Sequence, residues 1–518
     1  MPSTLYGIYN AQRALSLNQA AIDIINSNVA NMNTAGYSKQ RLEISQASNV
    51  SPYQNAIDAT QSGMGAIIDS VTRNRDTFLD NSLRRETTDL NYYKEYTDNA
   101  VELENIVNEL DDTGLNKTLN DFYNSLSQLA SNPNDFVVRN SVVQNAITLT
   151  TTFNNTYTSL QNAKTGLVGD ITEPETLTQS KLSIDINDLN NKLSAVANLN
   201  DQINLSTSQG MTPNALLDQR DQILDQISEY IPVNITNESN NTVTLSLGSI
   251  ELVRGRERTG FFEIQAGTTN DNPSIVQIKN DAGSVFSTDA YSLISSGKIG
   301  AILQTGGDDA DKLTIKGIMD SLNSLASEFA TAVNAVQTGG RYIDSSVNPN
   351  ELSDNLSNPI PPSAGTDDDP EDFFVDSDAS GIITAGNISV NAVISDDPYQ
   401  IAAASLTSGL TETGDGSNAL LMSQIRNQGL AILGGATTQG YVTNVTGKLG
   451  TQSKNIQDNY DIKSNILQQI TQKRESVTGV SLDEELADLV RFQRSYEASA
   501  KVMQTISQTL TTIINMMG

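Results

Sequence analysis

Residues 481–518 read SLDEELADLVRFQRSYEASAKVMQTISQTLTTIINMMG. Alternate steps of four and three from Leu482 trace a heptad-like stripe in which only Gln493 and Ser507 are polar. Ser481, followed three residues later by Glu484, forms a capping-box pattern, so a helix of roughly 50 Å should begin here. A one-sided apolar stripe of this length needs a partner, either elsewhere in the chain or in another copy of it. The stripe consists of Leu482, Leu486, Leu489, Gln493, Tyr496, Ala500, Met503, Ser507, Leu510, Ile514 and Met517.

A second apolar stripe lies at the opposite end of the chain. It runs through residues 3–32 at helical spacing and is broken only at Asn18. The sequence NMNTAGY at residues 31–37 then predicts a helix stop, because Asn and Gly tolerate left-handed backbone conformations. The stripe consists of Ile8, Ala11, Leu15, Ile22, Ile25, Val29 and Met32.

Two terminal helices with matching stripes predict a coiled-coil-like pair that brings the ends of the chain together. Both helices are rich in Asn and Gln, so the pair should be only marginally stable alone and should be ordered by neighbouring subunits. We therefore predict that the pair forms an assembly interface. The predicted interface residues are Ile8, Leu15, Ile22, Ile25, Val29, Leu486, Leu489, Tyr496, Met503, Leu510 and Ile514.

The composition excludes several classes of function. The 518 residues include no Cys and no His, which removes thiol nucleophiles, disulfides, His general bases and Cys/His zinc sites. A formal net charge of −30 disfavours binding to nucleic acid and to anionic membrane surfaces. No apolar run approaches the roughly 18 residues of a transmembrane helix. We therefore expect a protein that is not an enzyme, has no cofactor, and does not insert into a membrane.

The first residues, MPSTLYGIYNAQRALSLNQ, do not resemble a cleavable secretory signal, because no basic segment precedes an apolar one. Either the protein stays in the cytoplasm, or it leaves by a route that does not read such a signal.

Between the terminal stripes the hydrophobic period changes twice. Short strands are predicted around residues 41–44 and 67–71, followed by helical patterns from residue 77 to residue 230. From residue 231 to about residue 303 the apolar residues alternate between Gly- and Asn-rich turns, which predicts β-sheet. Helical patterns return at residues 313–336 and 418–475, with a hinge at residues 477–479 before the C-terminal helix.

This order predicts an α+β fold of discontinuous, nested domains. Long terminal helices form a coiled-coil-like arm, next to a helical inner domain that carries an inserted β-rich outer part. The predicted divisions are 1–50 with 476–518 for the terminal domain, 51–230 with 309–338 and 405–475 for the helical core, and 231–308 with 339–404 for the outer domain. Residues 339–380, rich in Gly, Pro, Ser and Asp, are predicted to be loops.

One pattern can be tested as a calcium loop. Asp376, Asp378 and Gly381 occupy positions typical of the first half of an EF-hand loop. The bidentate acidic residue at the twelfth position is replaced by Asn387, so we expect a solvated acidic turn and no metal site.

Three segments together resemble a known family. Ala30–Gln40, ANMNTAGYSKQ, is similar to the N-terminal signature of bacterial flagellar rod, hook and hook-associated proteins, and residues 492–501, FQRSYEASAK, resemble their C-terminal signature. Residues 213–221, PNALLDQRD, resemble hook-associated protein 1 in particular, since hook and rod proteins lack this segment. The motif residues are Asn31, Asn33, Thr34, Gly36, Tyr37, Leu217, Asp218, Arg220, Asp221, Phe492, Gln493 and Tyr496. One departure is Gln337, where the family often has His, and we interpret it as a neutral surface difference.

The resemblance implies a structural protein of the flagellum that is secreted unfolded through the flagellar type III export apparatus. It implies assembly into a ring at the distal end of the hook, where copies of the protein join the hook protein to the filament through the third hook-associated protein. It also implies a cytoplasmic export chaperone that holds the C-terminal segment before export.

Three alternatives remain. The chain could be another axial protein, such as the hook protein or the third hook-associated protein, although residues 216–221 and the length speak against both. A secreted surface adhesin would also accommodate the β-rich centre and the acidity. An enzyme is disfavoured by the absence of His and Cys.

Overall fold

The computed structural model describes residues 2–46, 65–107, 114–269, 272–309, 311–343, 370–409 and 411–517. Within these ranges the chain forms long helices and several small antiparallel sheets, which confirms the predicted α+β fold. Of the predicted loop segment 339–380, residues 344–369 lie outside the described residues. No helix in the described ranges combines the length and the apolarity that crossing a membrane requires.

The two terminal helices form the predicted pair. Helix α1 (Pro2–Ala30) packs along helix α13 (Leu482–Met517). A Cβ atom at Gly7 would lie 3.1 Å from Cδ1 of Ile506, and the side chain of Asn28 donates to Glu485 at the other end of the pair. The two contacts are 21 residues apart on each helix and follow each other in opposite chain directions, so the helices are antiparallel.

A β-hairpin follows α1 and leads into the body of the molecule. Strands β1 (Gln40–Gln46) and β2 (Ala66–Arg73) pair antiparallel, with an irregularity between Glu43 and Ile44. Both strands cover the predicted short strands. Helix α2 (Thr77–Val107) starts four residues later and packs along helix α12 (Thr438–Thr478), which returns the chain to α13.

The first core lies between helices and the central sheets. It contains buried side chains such as Leu103, Leu189, Ile227, Leu245 and Ile278. Its helices besides α2 are α4 (Phe136–Val168), α6 (Lys181–Ser208), α7 (Asn214–Tyr230) and α8 (Gly297–Gly306), with the short α5 (Pro174–Gln179) at its edge. The sheets have the order β3-β4-β5-β6 and β7-β8-β9. Their strands are β3 (Asn234–Asn237), β4 (Val243–Leu247), β5 (Ile250–Arg254), β6 (Glu257–Arg258), β7 (Phe261–Thr269), β8 (Asn272–Lys279) and β9 (Val285–Ser287).

The second core is predominantly helical and rich in Phe. Phe329 contacts the rings of Phe122, Phe153 and Phe374, and it is fully buried. Its helices are α3 (Leu115–Ser131), α9 (Ile315–Gln337), α10 (Ala392–Asp396) and α11 (Ser417–Gln424), together with the N-terminal part of α4. The strand pairs β10 (Gly340–Arg341) with β13 (Ala404–Ser405) and β11 (Phe374–Asp376) with β12 (Ile388–Val390) lie beside them. Short 3-10 helices occupy Pro398–Gln400 and Ile425–Asn427.

Helix starts follow local capping chemistry. The side chain of Asp135 accepts from the Val137 amide at the start of α4, and Thr314 accepts from the Gly317 amide at the start of α9. Ser180 and Thr437 cap α6 and α12 in the same way. Because α4, α9 and α12 each contribute side chains to both cores, these caps also fix helices that join one core to the other.

Three sequence predictions need correction. The predicted sheet does not extend to residue 303, because Gly297–Gly306 is helix α8, a short apolar segment that is buried on nearly all sides. Such a run does not distinguish strand from helix by period alone. The hinge at residues 477–479 lies later, at Gly479 and the two residues after it, because α12 continues through Thr478.

The third correction concerns the outer domain. Residues 231–308 and 339–404 were predicted to form one β-rich unit. Among the described residues, however, β10 to β13 pair only with one another, and Phe374 and Ile388 belong to the second core. These strands are two or three residues long, so their aromatic and aliphatic side chains are buried against helices and not within a larger sheet.

Arg139 fastens the segment after α10 to the start of α4. The side chain is 1 % exposed and donates from Nε to the Pro133 carbonyl at 2.6 Å and from Nη1 to the Ile401 carbonyl at 2.8 Å. Burial lowers the pKa of Arg139 to about 10. The guanidinium thus adds hydrogen bonds to carbonyl groups of this irregular segment and ties the segment to α4.

The second core can be tested by truncating its central ring. Phe329→Ala should lower the free energy of unfolding by about 3–5 kcal/mol, because it removes a fully buried ring and leaves a cavity among three others. Urea unfolding monitored by circular dichroism measures this change. Phe78→Ala is the matched control, since Phe78 is 71 % exposed and its truncation should lower the free energy of unfolding much less. Equal losses in the two variants would contradict the placement of Phe329.

Candidate assembly interface

The seam between α1 and α13 is narrower than the predicted stripes. On α1 the buried side chains are Ala11, Leu17, Ala21 and Ile25. Asn18, which interrupts the predicted stripe, is also buried, at 6 % exposure. The buried face of α1 therefore does not coincide with the predicted apolar stripe.

The predicted interface residues divide into two groups. Ile25 is buried, and seven others are half-buried along the seam or its edge: Ile8, Leu15, Ile22, Val29, Leu489, Met503 and Leu510. Leu486, Tyr496 and Ile514 remain exposed, with 46 %, 38 % and 61 % of their surfaces accessible. The stripe on α13 thus serves two surfaces, one against α1 and one facing away from it.

Five exposed apolar side chains lie on one face of α13, here called the exposed flank. It consists of Leu482, Leu486, Val490, Tyr496 and Ile514, all of them exposed. At about 100° per residue these positions fall within roughly a third of the helix circumference. Four of them lie in the first half of α13 and Ile514 lies near its end, with mostly polar residues between them on the same face, such as Glu497, Gln504 and Thr511. Exposed apolar side chains that share one helix face are typical of a surface that another protein chain covers.

At the base of the pair, residues 36–40, here called the connector, join the terminal helices to the body. Gly36 has a φ of +80° and ends the helix stop that residues 31–37 predicted. Before it, Asn31 donates its side-chain amide to the Ser27 carbonyl, and the Thr34 hydroxyl donates to Asn31. Asn33 is exposed and makes no such contribution to the turn.

Asn28 is the centre of the connector's hydrogen bonds to α1 and α13. Its side-chain amide donates to the Gln40 carbonyl at 2.9 Å and accepts from the Gln40 backbone amide at 3.0 Å. Its side chain also donates to Glu485 at 3.0 Å and accepts from the Tyr37 hydroxyl at 2.8 Å. Since Asn28 is 1 % and Glu485 is 2 % exposed, these bonds form away from water and hold the base of the pair closed.

Lys39 links the connector to the ends of α12 and α13. Its amide donates to the Thr478 carbonyl at 2.9 Å. Its ammonium group lies 3.0 Å from carboxylate oxygens of both Glu484 and Glu485. Burial would lower the pKa of Lys39, but its bonds to these two carboxylates raise it above its ordinary value. Glu484, predicted to close a capping box, thus bonds to Lys39.

The motif at residues 213–221, at the start of α7, also bonds to the connector. Asp218 accepts from the hydroxyl of Ser38 at 2.8 Å and from Arg73 Nη1 at 2.8 Å. Asp221 accepts from the same nitrogen of Arg73 at 2.7 Å. Arg220 points the opposite way and donates to the Asn241 carbonyl at 2.5 Å, while Leu217 is half-buried beside it. The motif therefore fixes the connector to α7 and to the central sheet.

Further ion pairs extend this network across the body. Asp225 of α7 accepts from Arg84 of α2 at 2.7 Å and from Arg474 of α12 at 2.8 Å. Burial by itself raises the pKa of Asp221, but the positive charges of Arg75, Arg73 and Arg84 outweigh this effect and lower the pKa below its ordinary value of 3.8.

The C-terminal motif residues lie elsewhere. Phe492 is half-buried, with the Arg491 guanidinium 4.9 Å from its ring centre. Gln493 is exposed, and Tyr496 belongs to the exposed flank. The structure brings the residues of the first two motifs together at the connector and leaves the third along α13.

Several residues of this site carried no sequence signal. Asn28, Arg73 and Glu485 are polar positions that the hydrophobic pattern assigns to solvent, yet Asn28 and Glu485 are buried where the connector docks and Arg73 is half-buried beside it.

Gln337 was wrongly interpreted as a surface residue. It is fully buried and bonds through its amide to the Gln400 carbonyl and to the Ala402 amide, both at 3.0 Å. Gln337 thus links α9 to the segment after the 3-10 helix at Pro398–Gln400, and the departure from the family pattern lies in the second core.

The acidic turn near residue 378 is closed by its own hydrogen bonds. Asn387, at the position where a calcium loop needs an acid, donates to Asp378 Oδ1 at 2.9 Å, and Asp376 accepts from the Gly381 amide at 2.7 Å. Within the described ranges no group of three or more acidic residues has the arrangement of a metal site.

The ionic network makes a pH-dependent prediction. Because the pKa of Asp221 is lower in the folded chain than in the unfolded one, its contribution is complete above the unfolded value of about 3.9 and is lost as the pH falls through the folded value. Asp221→Asn should lower the free energy of unfolding at pH 7 by about 3 kcal/mol, since it removes the buried carboxylate that Arg73 and Arg75 share and leaves them only Asp218 and Asp80 as partners. The difference between the two proteins should shrink below pH 4.

Urea unfolding at pH 7, 5, 4 and 3 measures this difference. Asp458→Asn, which removes an exposed partner of Lys454, is the control and should change the stability little at any pH. A loss for Asp221→Asn that stays constant down to pH 3 would contradict the assignment.

Comparison with known proteins covers the whole chain. The family model described as the flagellar hook-associated protein FlgK helical domain matches residues 100–350. Models for flagellar basal body rod proteins match residues 8–37, and the C-terminal model of the basal body rod FlgEFG proteins matches residues 471–516.

Relatives and a solved structure agree with these matches. Flagellar hook-associated protein 1 of Bacillus subtilis is 28 % identical over 100 % of this chain and 99 % of its own length. The protein of the same name from Salmonella typhimurium is 24 % identical over 98 % of this chain and 99 % of its own. The flagellar hook junction protein FlgK from Burkholderia pseudomallei shares the fold, with a TM-score of 0.59 at 16 % identity over 77 % of this chain and 100 % of that one. The chain belongs to the flagellar hook-associated protein 1 family.

Proposed function

We propose that this protein is the structural element of the bacterial flagellum that joins the hook to the filament, and that it polymerises through its terminal helices. The observation that carries the proposal is the exposed flank of α13, whose five apolar side chains are left uncovered in a chain that matches hook-associated protein 1 over its whole length. Membership of a family of structural flagellar proteins places it in the flagellum, outside the cell, and supports a structural role over a catalytic one.

The energy available from the exposed flank supports assembly. Fully burying a large aliphatic side chain contributes roughly 1.5–3 kcal/mol, and the five residues of the flank are 38 % to 61 % exposed. Covering them in an assembly should therefore contribute on the order of 1 kcal/mol each. A monomer gains none of this, so the contribution appears only when a neighbouring chain packs against α13.

The geometry of the base supports a defined orientation for this surface. The connector is bonded to α7 through Asp218, to α12 through the Thr478 carbonyl and to α13 through Lys39. An interface on a flexible arm would lose much of its energy to ordering. Held at the connector, the flank of each copy points in the same direction relative to the body, as a closed ring requires.

The partners follow from this assignment. We propose copies of this protein in a ring, the hook protein on one side and the third hook-associated protein on the other, at the distal end of the hook. The terminal domain, residues 1–50 with 476–518, would make the axial contacts, and the two cores would lie further out. An export chaperone would cover the C-terminal segment, whose exposed apolar side chains need protection before type III export.

The test places a charge in the exposed flank. Ile514→Asp should leave the monomer folded, because the side chain is 61 % exposed, but should prevent assembly by leaving a carboxylate buried between subunits. We expect cells that carry the variant to have hooks without filaments and to release flagellin into the medium, as a gene deletion should. Motility, electron microscopy and flagellin immunoblotting of the medium measure the outcome.

The control is Ile382→Asp, which places the same charge at a residue that is 67 % exposed on the acidic turn. It should leave motility and filament attachment intact. Normal filaments in the Ile514→Asp strain, or a deletion strain that still swims, would contradict the proposed junction role.

A further inference from the structure

A polar cavity lies between α2, α7 and the first central sheet, behind the connector. Its volume is about 190 Å³, and four guanidinium groups line it, those of Arg73, Arg75, Arg84 and Arg220. Asp80, Asp221 and Glu238 also line it. This region, here called the arginine cavity, is polar, in contrast to the first core, whose Leu224 borders it.

The carboxylates around the cavity are engaged with particular partners. Asp221 accepts from Arg73 at 2.7 Å, and Asp80 lies 2.9 Å from Arg75 Nη2. Glu238 accepts from the Thr244 hydroxyl at 3.1 Å, on the β3–β4 hairpin. The carboxylates of Asp221, Asp80 and Asp225 thus pair with Arg73, Arg75 and Arg84, whereas Arg220 has no ion pair among the described residues.

Three donors in the wall of the cavity have no hydrogen-bond acceptor among the described residues, Nη2 of Arg75, Nη2 of Arg84 and Nε of Arg220, and of these Arg75 Nη2 lies within ion-pair distance of Asp80. Arg84 is 7 % and Arg220 is 4 % exposed, so bulk water does not solvate them freely. Arg84 Nη2 is 3.8 Å from the nearest carboxylate oxygen of Asp221, too far for a hydrogen bond. A buried guanidinium donor without an acceptor is costly, and a group that supplies one stabilises the fold.

Burial lowers the pKa of Arg220 to about 10, and the positive charges of Arg73, Arg84 and Arg75 act in the same direction against the attraction of Asp221. The guanidinium groups are thus close enough to repel one another. A negative charge placed among them would reduce this repulsion.

We propose that the arginine cavity binds a small inorganic oxyanion of the phosphate or sulfate type through Arg84 and Arg220. Guanidinium groups recognise such oxyanions by planar, charge-assisted hydrogen bonds, and the cavity has room for one. The bound anion would tie α2 to α7 and to the turn before β4, directly behind the residues that hold the connector. It would act as a structural ligand and would take no part in a reaction.

The test is a thermal unfolding series on the full-length monomer with inorganic phosphate from 0.1 to 10 mM at constant ionic strength. A specific site gives a saturable rise in the unfolding temperature, and at ten times the dissociation constant the folded state is favoured about 11-fold. Arg220→Gln and Arg84→Lys should each abolish the rise. Arg84→Lys keeps a positive charge for Asp225, so it serves if Arg220→Gln does not fold.

Arg139→Gln is the matched control, because Arg139 is equally buried but lies in the second core. It should lower the starting stability and keep the phosphate-dependent rise. Crystals grown with selenate provide a second measurement, in which anomalous scattering should appear between Arg84 and Arg220. No saturable rise in the wild type, an equal rise in Arg220→Gln, or selenate found only on surface lysines would overturn the proposal.

Discussion

The side chain of Asn28 and the short connector that it holds determine how the rest of the molecule is arranged. Asn28 sits within α1, yet its amide bonds to the backbone at Gln40 and to the carboxylate of Glu485 on α13. The next residues of the connector bond to α7 and α12. Four elements that are distant in sequence therefore meet at one buried polar point, and both ends of the chain are fixed to the body there.

This arrangement divides the work between apolar and polar contacts. The apolar seam of α1 and α13 is modest, with few fully buried side chains, and much of the apolar surface of α13 faces outward. Orientation is set by hydrogen bonds and ion pairs at the base, which are directional where hydrophobic contacts are not. This division suits the proposed role of the protein, in which it packs against neighbouring chains in an assembly. Its assembly surface stays available, while its direction is fixed within each copy.

The sequence predicted the periodic parts of the fold well. The stripes at residues 8–32 and 482–517, and the alternation around Val243 and Leu245, indicated the right elements because period and burial coincide there. Gly297–Gly306 was misassigned, since a short run buried on every side has no period. The residues predicted to face each other in the terminal pair differ from those that are buried. Asn18 is buried, although its polarity led to the prediction that it interrupts the apolar stripe.

The polar site was recognised only through family resemblance at Gly36, Asp218 and Asp221. Their partners, Asn28, Arg73 and Glu485, come from segments far apart in the chain, and no local pattern signals which polar residues a fold will bury. The role of Gln337 was hidden for the same reason. Its amide matters because the segment around Gln400 and Ala402 packs over it, a contact that depends on the tertiary structure.

The most direct test measures the orientation of α13 relative to the body. The chain contains no Cys, so spin labels can be attached specifically at Gln469→Cys on α12 and Gln504→Cys on α13, both of which are exposed. Pulsed electron paramagnetic resonance then measures the distance between the two labels in the monomer. We expect one narrow distance distribution, which Asp218→Asn should broaden, because it removes the negative charge that pairs with Arg73 and one of the two oxygens that accept from Ser38, while Asp458→Asn leaves it narrow. A distribution that stays equally narrow in Asp218→Asn would contradict the claim that the connector sets the direction of the assembly surface.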